Sequence, residues 1–389
     1  MRTALVNGRV LSDCALREGL AVIIDGPNII AVIPKGDLDP AVARSDLAGG
    51  LLLPGFIDTQ VNGGGGRLFN DAPTVETIHA IGAAHRRFGT TGFLPTLISD
   101  DLTVVARAIE AVRAAMAQGA PGVLGIHIEG PFLNVARRGV HDASKFRVID
   151  EEAIALLTSL KQGVTLVTLA PEKTTPAVIR RLTEAGVIVS AGHTNGAYGS
   201  IKAALAAGLT GFTHLFNAMS PLTSRRPGAV GAALEDPASW CGLIVDGRHV
   251  DPVVLKLALR CKRLDRFMLV TDAMPSVGMV EKAFVLQGQP IRVVDGVCVR
   301  ADGALAGSDL DMASAVRNAM AMLGLGLEDA VAMASRHPAA FLGLEDRFGR
   351  IAPGQRANLI LASDALEIQE TWIEGIPLQA PAFSSATKS

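Results

Sequence analysis

Residues 122–141 read Gly-Val-Leu-Gly-Ile-His-Ile-Glu-Gly-Pro-Phe-Leu-Asn-Val-Ala-Arg-Arg-Gly-Val-His, and this stretch decides the fold. Its first half is a short β-branched and aliphatic run, which is typical of a strand buried on both faces. Gly130-Pro131 then ends the strand. The last strand residue is Glu129, and His127 lies two positions earlier on the same face. Because a carboxylate at the end of an apolar strand is costly unless a cation, a proton or a partner charge meets it, Glu129 indicates a metal or acid/base site or a structural salt bridge.

Eight strands of this kind alternate with segments of helical periodicity. Eight strand–helix units predict an α/β fold, a (β/α)8 TIM-like barrel, in which reactive groups collect at the carboxyl ends of the strands. An open doubly wound sheet is the alternative, which the count of strands and the lack of a G-x-G-x-x-G fingerprint disfavour. The predicted strands are Leu51–Thr59, Gly92–Ile98, Gly122–Glu129, Val164–Leu169, Val187–Gly192, Gly211–Phe216, Trp240–Asp246 and Phe267–Asp272.

Short strands at both ends of the chain predict a second, smaller unit. Near the start, Asn7-Gly8, Asp25 to Asn28 and Pro34 to Gly36 have hairpin chemistry between apolar runs. Similar β segments follow Gly349 near the other end, and chain termini usually lie close together. We therefore expect residues 1–50 and 350–389 to form a small β-sandwich domain beside a barrel of residues 51–349, with a β insertion near residues 284–304.

The composition narrows the class of protein. The chain has 389 residues, a net charge of −2 with interspersed signs and four scattered cysteines, Cys14, Cys241, Cys261 and Cys298. These features argue against a nucleic-acid partner, a disulfide framework and a zinc knuckle. No apolar run is long enough to cross a bilayer and no signal-peptide pattern opens the sequence, so we expect a cytoplasmic protein without a membrane partner.

The carboxyl ends of the predicted strands carry the chemistry. Glu129, His193 and His214 supply one carboxylate and two imidazoles from three strands, the ligand set of an open catalytic metal site. Zinc is expected, and iron or cobalt also suits these ligands. Asp272 ends another apolar strand and is a candidate general base and then general acid, with a ligand role or a buried salt bridge as alternatives. The other polar strand ends are Asp58-Thr59-Gln60 with Asn62, Thr96, Glu172, Asn217, Asp246 and His249.

The motifs together resemble the N-acetylglucosamine-6-phosphate deacetylases of the amidohydrolase superfamily. They run in order along almost the whole chain, and His127 to Phe132 together with Thr213 to Met219 are highly specific. The matching pieces are Pro54-Gly55-Phe56-Ile57-Asp58, Asn62-Gly63, His127-Ile128-Glu129-Gly130-Pro131-Phe132, Gly139-Val140-His141, Ala191-Gly192-His193-Thr194, Thr213-His214-Leu215-Phe216-Asn217-Ala218-Met219, Arg225 with Pro227-Gly228, Asp246-Gly247-Arg248-His249, Val270-Thr271-Asp272-Ala273 and Leu305-Ala306-Gly307-Ser308.

The resemblance implies hydrolysis of the acetamide of N-acetylglucosamine 6-phosphate to glucosamine 6-phosphate and acetate. It implies that Asp272 activates water and that His141 polarises the acetamide carbonyl. It also implies a homodimer, with Arg225 and His249 reaching from a neighbouring subunit to the phosphate. The remaining substrate contacts that it implies are Val140, Asn217, the Ala218 backbone, Asp246, Gly247, Arg248, Leu305, Ala306 and Gly307, the last three in a turn.

The first strand departs from a pattern common among amidohydrolases. Many of them carry His-x-His there for a second metal, whereas this chain has Gln60 and Asn62, which are poor metal ligands. We therefore predict one divalent metal per subunit, which disfavours a binuclear cyclic amidase of the hydantoinase or dihydroorotase kind. Two alternatives stay open: a deacetylase of another N-acetylhexosamine 6-phosphate such as N-acetylgalactosamine 6-phosphate, and a non-catalytic sugar-phosphate binder.

Overall fold

The computed structural model describes residues 2–13 and 15–379, in which strands and helices alternate through most of the chain. The strands are β1 (Arg2–Val6), β2 (Arg9–Ser12), β3 (Ala15–Arg17), β4 (Leu20–Asp25), β5 (Asn28–Pro34), β6 (Ala43–Asp46), β7 (Leu51–Pro54), β8 (Phe56–Val61), β9 (Gly63–Gly64), β10 (Arg67–Leu68), β11 (Thr90–Ile98), β12 (Gly125–Glu129), β13 (Val164–Leu169), β14 (Ile188–Ala191), β15 (Gly211–Phe212), β16 (Trp240–Leu243), β17 (Phe267–Leu269), β18 (Ala283–Leu286), β19 (Gln289–Val294), β20 (Val297–Arg300), β21 (Leu305–Ser308), β22 (Leu359–Ala362), β23 (Ile368–Ile373) and β24 (Ile376–Gln379). The α-helices are α1 (Val75–Arg86), α2 (Leu102–Ala117), α3 (Glu151–Leu157), α4 (Pro176–Glu184), α5 (Tyr198–Ala206), α6 (Gly228–Glu235), α7 (Pro252–Cys261), α8 (Met312–Leu323), α9 (Leu327–Ala334) and α10 (Arg336–Phe341).

Eight parallel strands form the barrel, in the order β8, β11, β12, β13, β14, β15, β16, β17. A parallel bridge between Val61 and Ala273 brings the last strand back to the first. The helices α1 to α8 follow the eight strands in turn, and their apolar faces join the strands in one large core. The (β/α)8 fold predicted from the sequence is confirmed, and the polar strand ends consequently meet at one face of the barrel.

A series of hydrogen-bonded polar side chains lies in the barrel interior below that face. His127 Nε2 lies 2.8 Å from Thr168 Oγ1, which lies 2.6 Å from Thr213 Oγ1. The Thr213 hydroxyl donates in turn to Ser190 Oγ at 2.8 Å. These buried groups are therefore satisfied by one another, and His127 supports the interior of the barrel while Glu129 faces its mouth.

The terminal segments pair into two antiparallel-rich sheets beside the barrel. One has the order β5, β4, β1, β6, and the other has the order β24, β23, β22, β7, β2, β3. Leu5 and Val22 of the first sheet share a buried cluster with Val10, Leu359 and Trp372 of the second, as in a sandwich of two packed sheets. The domain limits 1–50, 51–349 and 350–389 stay a prediction, and residues 380–389 lie outside the described residues.

Two local expectations for the first 60 residues are wrong. Asn7-Gly8 does not make a hairpin, because β1 and β2 belong to different sheets and the chain crosses between them there. The predicted strand Leu51–Thr59 is two strands, since β7 joins the terminal sheet and β8 the barrel. Gly55 separates them because a Cβ at this position would lie 2.1 Å from Thr91 Oγ1. Hydrophobic periodicity alone cannot tell which of two adjacent sheets an apolar residue joins.

A four-stranded antiparallel sheet of β18 to β21 lies between β17 and α8. It spans residues 283–308, somewhat more than the range expected from the sequence. Leu286, Ile291, Cys298 and Ala306 form its small core with Met274 of the barrel. Residues 305–307 therefore lie in β21 and not in a turn as expected, because they pair with β20.

Cys241 and Cys298 are buried free thiols and Cys261 is an exposed one, whereas Cys14 lies outside the described residues. Among the helices of residues 2–13 and 15–379, none combines the length and the apolar character needed to cross a bilayer.

Candidate active site

Glu129, His193 and His214 meet at the mouth of the barrel. Glu129 ends β12, and the two histidines follow β14 and β15. Glu129 Oε1 lies 3.0 Å from His214 Nε2 and 3.2 Å from His193 Nε2, and the two Nε2 atoms are 3.2 Å apart. All three side chains are buried. The three predicted ligands thus present one oxygen and two nitrogens to a common point.

This donor set fits a divalent cation. His193 Nδ1 lies 2.8 Å from the Arg137 carbonyl oxygen, so it carries the proton and leaves a lone pair on Nε2. The ligand atoms of a tetrahedral zinc ion, each about 2.0–2.1 Å from the metal, lie roughly 3.3 Å apart. The observed separations of 3.0, 3.2 and 3.2 Å are close to that spacing. Among the described residues, these three form the candidate metal cluster.

Electrostatics keep Glu129 ionised. Burial alone raises the pKa of Glu129, but hydrogen bonds and charge from His193 and His214 outweigh burial and hold this pKa well below its usual range. Burial likewise lowers the pKa of His214, but the Glu129 carboxylate outweighs it and raises that pKa. The lowered pKa of Glu129 and the raised pKa of His214 both indicate an ionised carboxylate that attracts positive charge to this point.

Asp272 lies on the same cavity and is held by two amides. Gln60 Nε2 and Asn62 Nδ2 donate to Asp272 Oδ1 at 3.1 and 2.6 Å, and Gln60 Nε2 also reaches Glu129 Oε2 at 3.1 Å. Within the described residues, no donor reaches Asp272 Oδ2. Burial, together with the charge of Glu129, raises the pKa of Asp272 to about 6. Asp272 is consequently a fixed carboxylate with one oxygen available to take and return a proton.

His141 presents a proton donor toward the same cavity. The backbone N–H of Ser99 donates to His141 Nδ1 at 3.3 Å, and Ser99 Oγ lies 2.8 Å from the same nitrogen. The proton of the neutral ring is therefore on Nε2. Burial, with the charge of His193 adding to it, lowers the pKa of His141 to about 3, so the ring is neutral at pH 7. His141 is thus a neutral N–H donor 4.3 Å from the His193 ring, centroid to centroid.

The backbone at three of these residues is unusual. His193, His214 and Asp272 have φ values of 46°, 35° and 53°, a left-handed region that few residues other than glycine adopt. Each lies two or three residues after the end of its barrel strand. Such conformations cost energy and cluster at functional sites, which agrees with a site assembled at the ends of β14, β15 and β17.

A cavity of about 360 Å³ opens above these residues. Most of the predicted substrate contacts line it in the same chain: Val140, His141, Asn217, Ala218, His249, Leu305 and Gly307. Its other lining residues are Asn62, Ile98, Glu129, Ala136, Arg137, Gly139, His193, His214, Asp272 and Met274.

Five predicted substrate residues do not line this cavity. Ala306 is buried in the insertion core, and Gly247 lies against Met322. Arg248 is exposed. Asp246 instead holds His249, another predicted substrate contact, because it accepts from His249 Nδ1 at 2.5 Å and from the His249 backbone N–H at 2.8 Å. The fifth, Arg225, lines a neighbouring cavity with Arg137 and Arg226.

The position of His249 differs from the expectation that it reaches in from a neighbouring subunit. It lines the cavity of its own chain, and the Asp246 carboxylate fixes it there by accepting from the His249 ring and backbone N–H. Arg225 lies on an exposed loop outside that cavity. The contribution of Arg225 across an interface stays a prediction.

Sequence reasoning missed three features of the site. Gln60 and Asn62 were interpreted only as poor metal ligands, yet their amides hold Asp272. Ser99 orients His141, and its position directly after a predicted strand was a usable signal. Arg137 supplies the carbonyl that orients His193, and no sequence pattern identifies a backbone acceptor of this kind.

Comparison with known proteins agrees with this geometry. A family model described as the amidohydrolase family matches residues 51–378. An N-acetylgalactosamine-6-phosphate deacetylase from Shewanella sp. (strain ANA-3) is 47% identical, and the match covers 95% of this chain and 93% of that protein. An N-acetylglucosamine-6-phosphate deacetylase from Haemophilus influenzae is 34% identical, over 96% of this chain and 99% of that one. A solved N-acetylglucosamine-6-phosphate deacetylase from Pasteurella multocida has a TM-score of 0.94 and 34% identity, over 97% of this chain and 100% of that one.

Proposed function

The chain belongs to the amidohydrolase family, and on that premise we propose that it hydrolyses the acetamide of N-acetylglucosamine 6-phosphate to glucosamine 6-phosphate and acetate. The assignment to this family from the sequence motifs is confirmed. The observation that carries the proposal is the convergence of Glu129, His193 and His214 on one point of the cavity that Asp272 and His141 also line. The deacetylases among its relatives support the substrate class.

Each residue of the cavity has a defined part in this reaction. Glu129, His193 and His214 would hold a divalent cation, which when bound would supply Lewis acidity toward the carbonyl and a lowered pKa of water. Asp272 Oδ2 accepts the proton of the attacking water and returns it to the amide nitrogen as the C–N bond breaks. His141 Nε2–H donates to the carbonyl oxygen as negative charge develops there.

The phosphate of the substrate fits the outer part of the site. We assign it to His249 and Asn217, which line the cavity, and to Arg225, whose planar guanidinium suits phosphate oxygens. Because Arg225 lies outside the cavity of its own chain, a homodimer in which it serves the neighbouring subunit is part of the proposal. The cytoplasmic location expected from the sequence stays a prediction.

Replacing Arg225 by alanine should raise the KM for N-acetylglucosamine 6-phosphate about 10- to 100-fold, since a charge-assisted contact to phosphate contributes about 1.5–3 kcal/mol. The adjacent Arg226→Ala variant is the matched control and should stay near wild type. Unphosphorylated N-acetylglucosamine should be hydrolysed equally by all three proteins. The measurement is steady-state acetate release with both substrates, and an Arg225→Ala effect independent of phosphate would contradict the role.

The same variant tests the dimer. Mixed with an inactive Asp272→Asn protein and allowed to exchange subunits, Arg225→Ala should regain a low KM, because its intact cavity then receives Arg225 from the partner. If Arg225 acts within its own chain, mixing changes nothing.

A second candidate substrate is N-acetylgalactosamine 6-phosphate. The observation that favours it is the 47% identity to the Shewanella enzyme named for that substrate, against 34% for the Haemophilus enzyme named for the gluco epimer. Acetate release from the two phosphorylated epimers, compared as kcat/KM at equal enzyme concentration, decides between them. A higher value for the galacto epimer would replace the proposed substrate and leave the reaction unchanged. Binding of both sugars without acetate release would favour the non-catalytic binder.

Metal content should be close to one divalent ion per chain. The positions that would serve a second metal are Gln60 and Asn62, whose amide nitrogens donate to the carboxylates of Glu129 and Asp272. An amide offers a cation only its neutral oxygen, which is a weaker ligand than the histidine imidazoles found at these positions in two-metal sites. Elemental analysis of protein dialysed against metal-free buffer measures this. Restoring the ligands by Gln60→His with Asn62→His should raise the content toward two, and two ions in the wild-type protein would refute the single-metal proposal.

A further inference from the structure

Glu172 is a carboxylate at a strand end that the proposed mechanism does not use. It lies in the one-turn helix Pro171–Lys173 directly after β13, and it is half-buried. It is not one of the three residues of the candidate metal cluster. Glu172 follows the fourth barrel strand, which lies between the strand that ends in Glu129 and the strand that precedes His193. The residues that hydrogen-bond to Glu172 are therefore close to the metal ligands.

Three hydrogen-bond donors converge on its two oxygens. Glu172 Oε1 accepts from Asn134 Nδ2 at 2.8 Å and from the backbone N–H of Asn195 at 2.7 Å. Glu172 Oε2 accepts from the Thr194 hydroxyl at 2.5 Å. Within the described residues, no lysine or arginine forms an ion pair with it. The carboxylate is consequently bound by neutral donors from two loops, which is the role of an organising acceptor.

Those two loops frame the metal ligand His193. Asn134 belongs to the loop after β12, in which the Arg137 carbonyl accepts from His193 Nδ1. Thr194 and Asn195 follow His193 in the chain. Two further hydrogen bonds join the loops: Asn134 N–H to the His193 carbonyl at 3.0 Å, and Arg137 Nε to Asn195 Oδ1 at 3.0 Å. Glu172 is thus the acceptor that joins two segments. One is the loop of Asn134 and Arg137, which orients His193, and the other is Thr194-Asn195, which follows His193 in the chain.

Backbone hydrogen bonds also join Thr194 to the loop that carries the predicted substrate contacts Asn217 and Ala218. The Thr194 N–H donates to the Ala218 carbonyl at 3.1 Å, and the Ser220 N–H donates to the Thr194 carbonyl at 2.9 Å. Ala218 lines the cavity. A shift of Thr194 is therefore transmitted both to His193 and to the loop that carries Asn217 and Ala218.

We propose that Glu172 is a positioning residue, which holds the loops of Asn134 and Thr194 together so that His193 Nε2 stays aimed at the metal position. The proposal rests on the metal site of the proposed function. Residues that orient metal ligands through hydrogen bonds typically change metal affinity 10- to 100-fold when replaced. In Glu172→Gln an amide nitrogen replaces one acceptor oxygen and meets a donor, and in Glu172→Ala all three donors lose their acceptor.

The test is the affinity for Zn²⁺, measured by competition with a chelator on the apoprotein. Both Glu172 variants should bind Zn²⁺ about 10- to 100-fold more weakly than wild type. The control is Glu370→Gln, which changes a half-buried glutamate of β23 in the terminal sheet and should bind Zn²⁺ like wild type. The apoproteins should unfold within a few degrees of one another, and unchanged Zn²⁺ affinity in the Glu172 variants would overturn the proposal.

A double-mutant cycle separates positioning from general loss of structure. Thr194→Val removes the hydroxyl that donates to Glu172, so in the Glu172→Ala background it should cost little further Zn²⁺ affinity. Fully additive losses, or a fall in apoprotein stability as large as the loss of affinity, would mean a purely structural role. Zn²⁺ affinity is measured without substrate, so this result is independent of the acetate-release assay that tests the proposed function.

Discussion

Replacing Asp272 by asparagine should lower the rate of acetate release about 10³- to 10⁴-fold, toward the upper end of what a positioned acid/base contributes. The asparagine side chain has nearly the same shape, and its Oδ1 still accepts from Gln60 and Asn62. Its nitrogen, however, cannot take a proton from water or return one to the leaving amine. Single-turnover acetate release measures the chemical step.

Binding distinguishes this role from the alternatives for Asp272. The Asp272→Asn protein should still bind N-acetylglucosamine 6-phosphate and keep its metal, as measured by calorimetry and elemental analysis. The control is Asp309→Asn, which changes a half-buried carboxylate paired with Lys282 at 2.8 Å and should retain the wild-type rate. Loss of metal from Asp272→Asn would make Asp272 a ligand, and an unchanged rate would remove it from the mechanism.

Removing the metal should abolish acetate release, and adding Zn²⁺, Fe²⁺ or Co²⁺ should restore it. The reason is the crowding of Glu129 Oε1, His193 Nε2 and His214 Nε2 within 3.2 Å of one another. Two imidazole lone pairs and a carboxylate oxygen at that spacing are unfavourable unless a cation or protons lie between them. Dialysis against a chelator, followed by assay and readdition of each ion, makes the measurement.

Metal binding should also stabilise the fold. A ligand present at 100 times its dissociation constant adds about 2.7 kcal/mol to the free energy of unfolding, so the apoprotein should melt several degrees below the metal-loaded protein. His214→Asn should lose both the metal and this difference. His337→Asn, which changes another buried histidine, one that contacts the Phe267 carbonyl away from the cavity, should keep both. Full activity in apoprotein would contradict the metal site.

The sequence predicted the barrel because eight apolar strand patterns alternate with segments of helical periodicity, and most of these strands end beside a polar residue. Glu129, His193, His214 and Asp272 were found in this way, since parallel strands of one barrel bring their carboxyl ends to one face. His141 required the family resemblance, because nothing local distinguishes it from other loop residues.

The remaining features depend on contacts between distant segments. Whether the loops of Arg225 and His249 fold toward their own cavity is decided by bonds such as that of Asp246 to His249, which a motif does not show. The tautomer of His141 depends on Ser99, 42 residues earlier. The split of Leu51–Thr59 depends on Thr91, which packs against Gly55. Periodicity describes one segment at a time and so cannot predict these outcomes.

Because β7 pairs with β22, which is synthesised late, the edge of β7 stays uncovered during most of translation. The catalytic groups are complete once a ribosome has added Asp272, but the six-stranded sheet inserts β22 between β7 and β23. A nascent chain therefore exposes the edge of β7 until the last segment leaves the exit tunnel, and such edges promote aggregation. Stalled or shortened translation products should consequently need chaperone protection even though their barrel strands are all present.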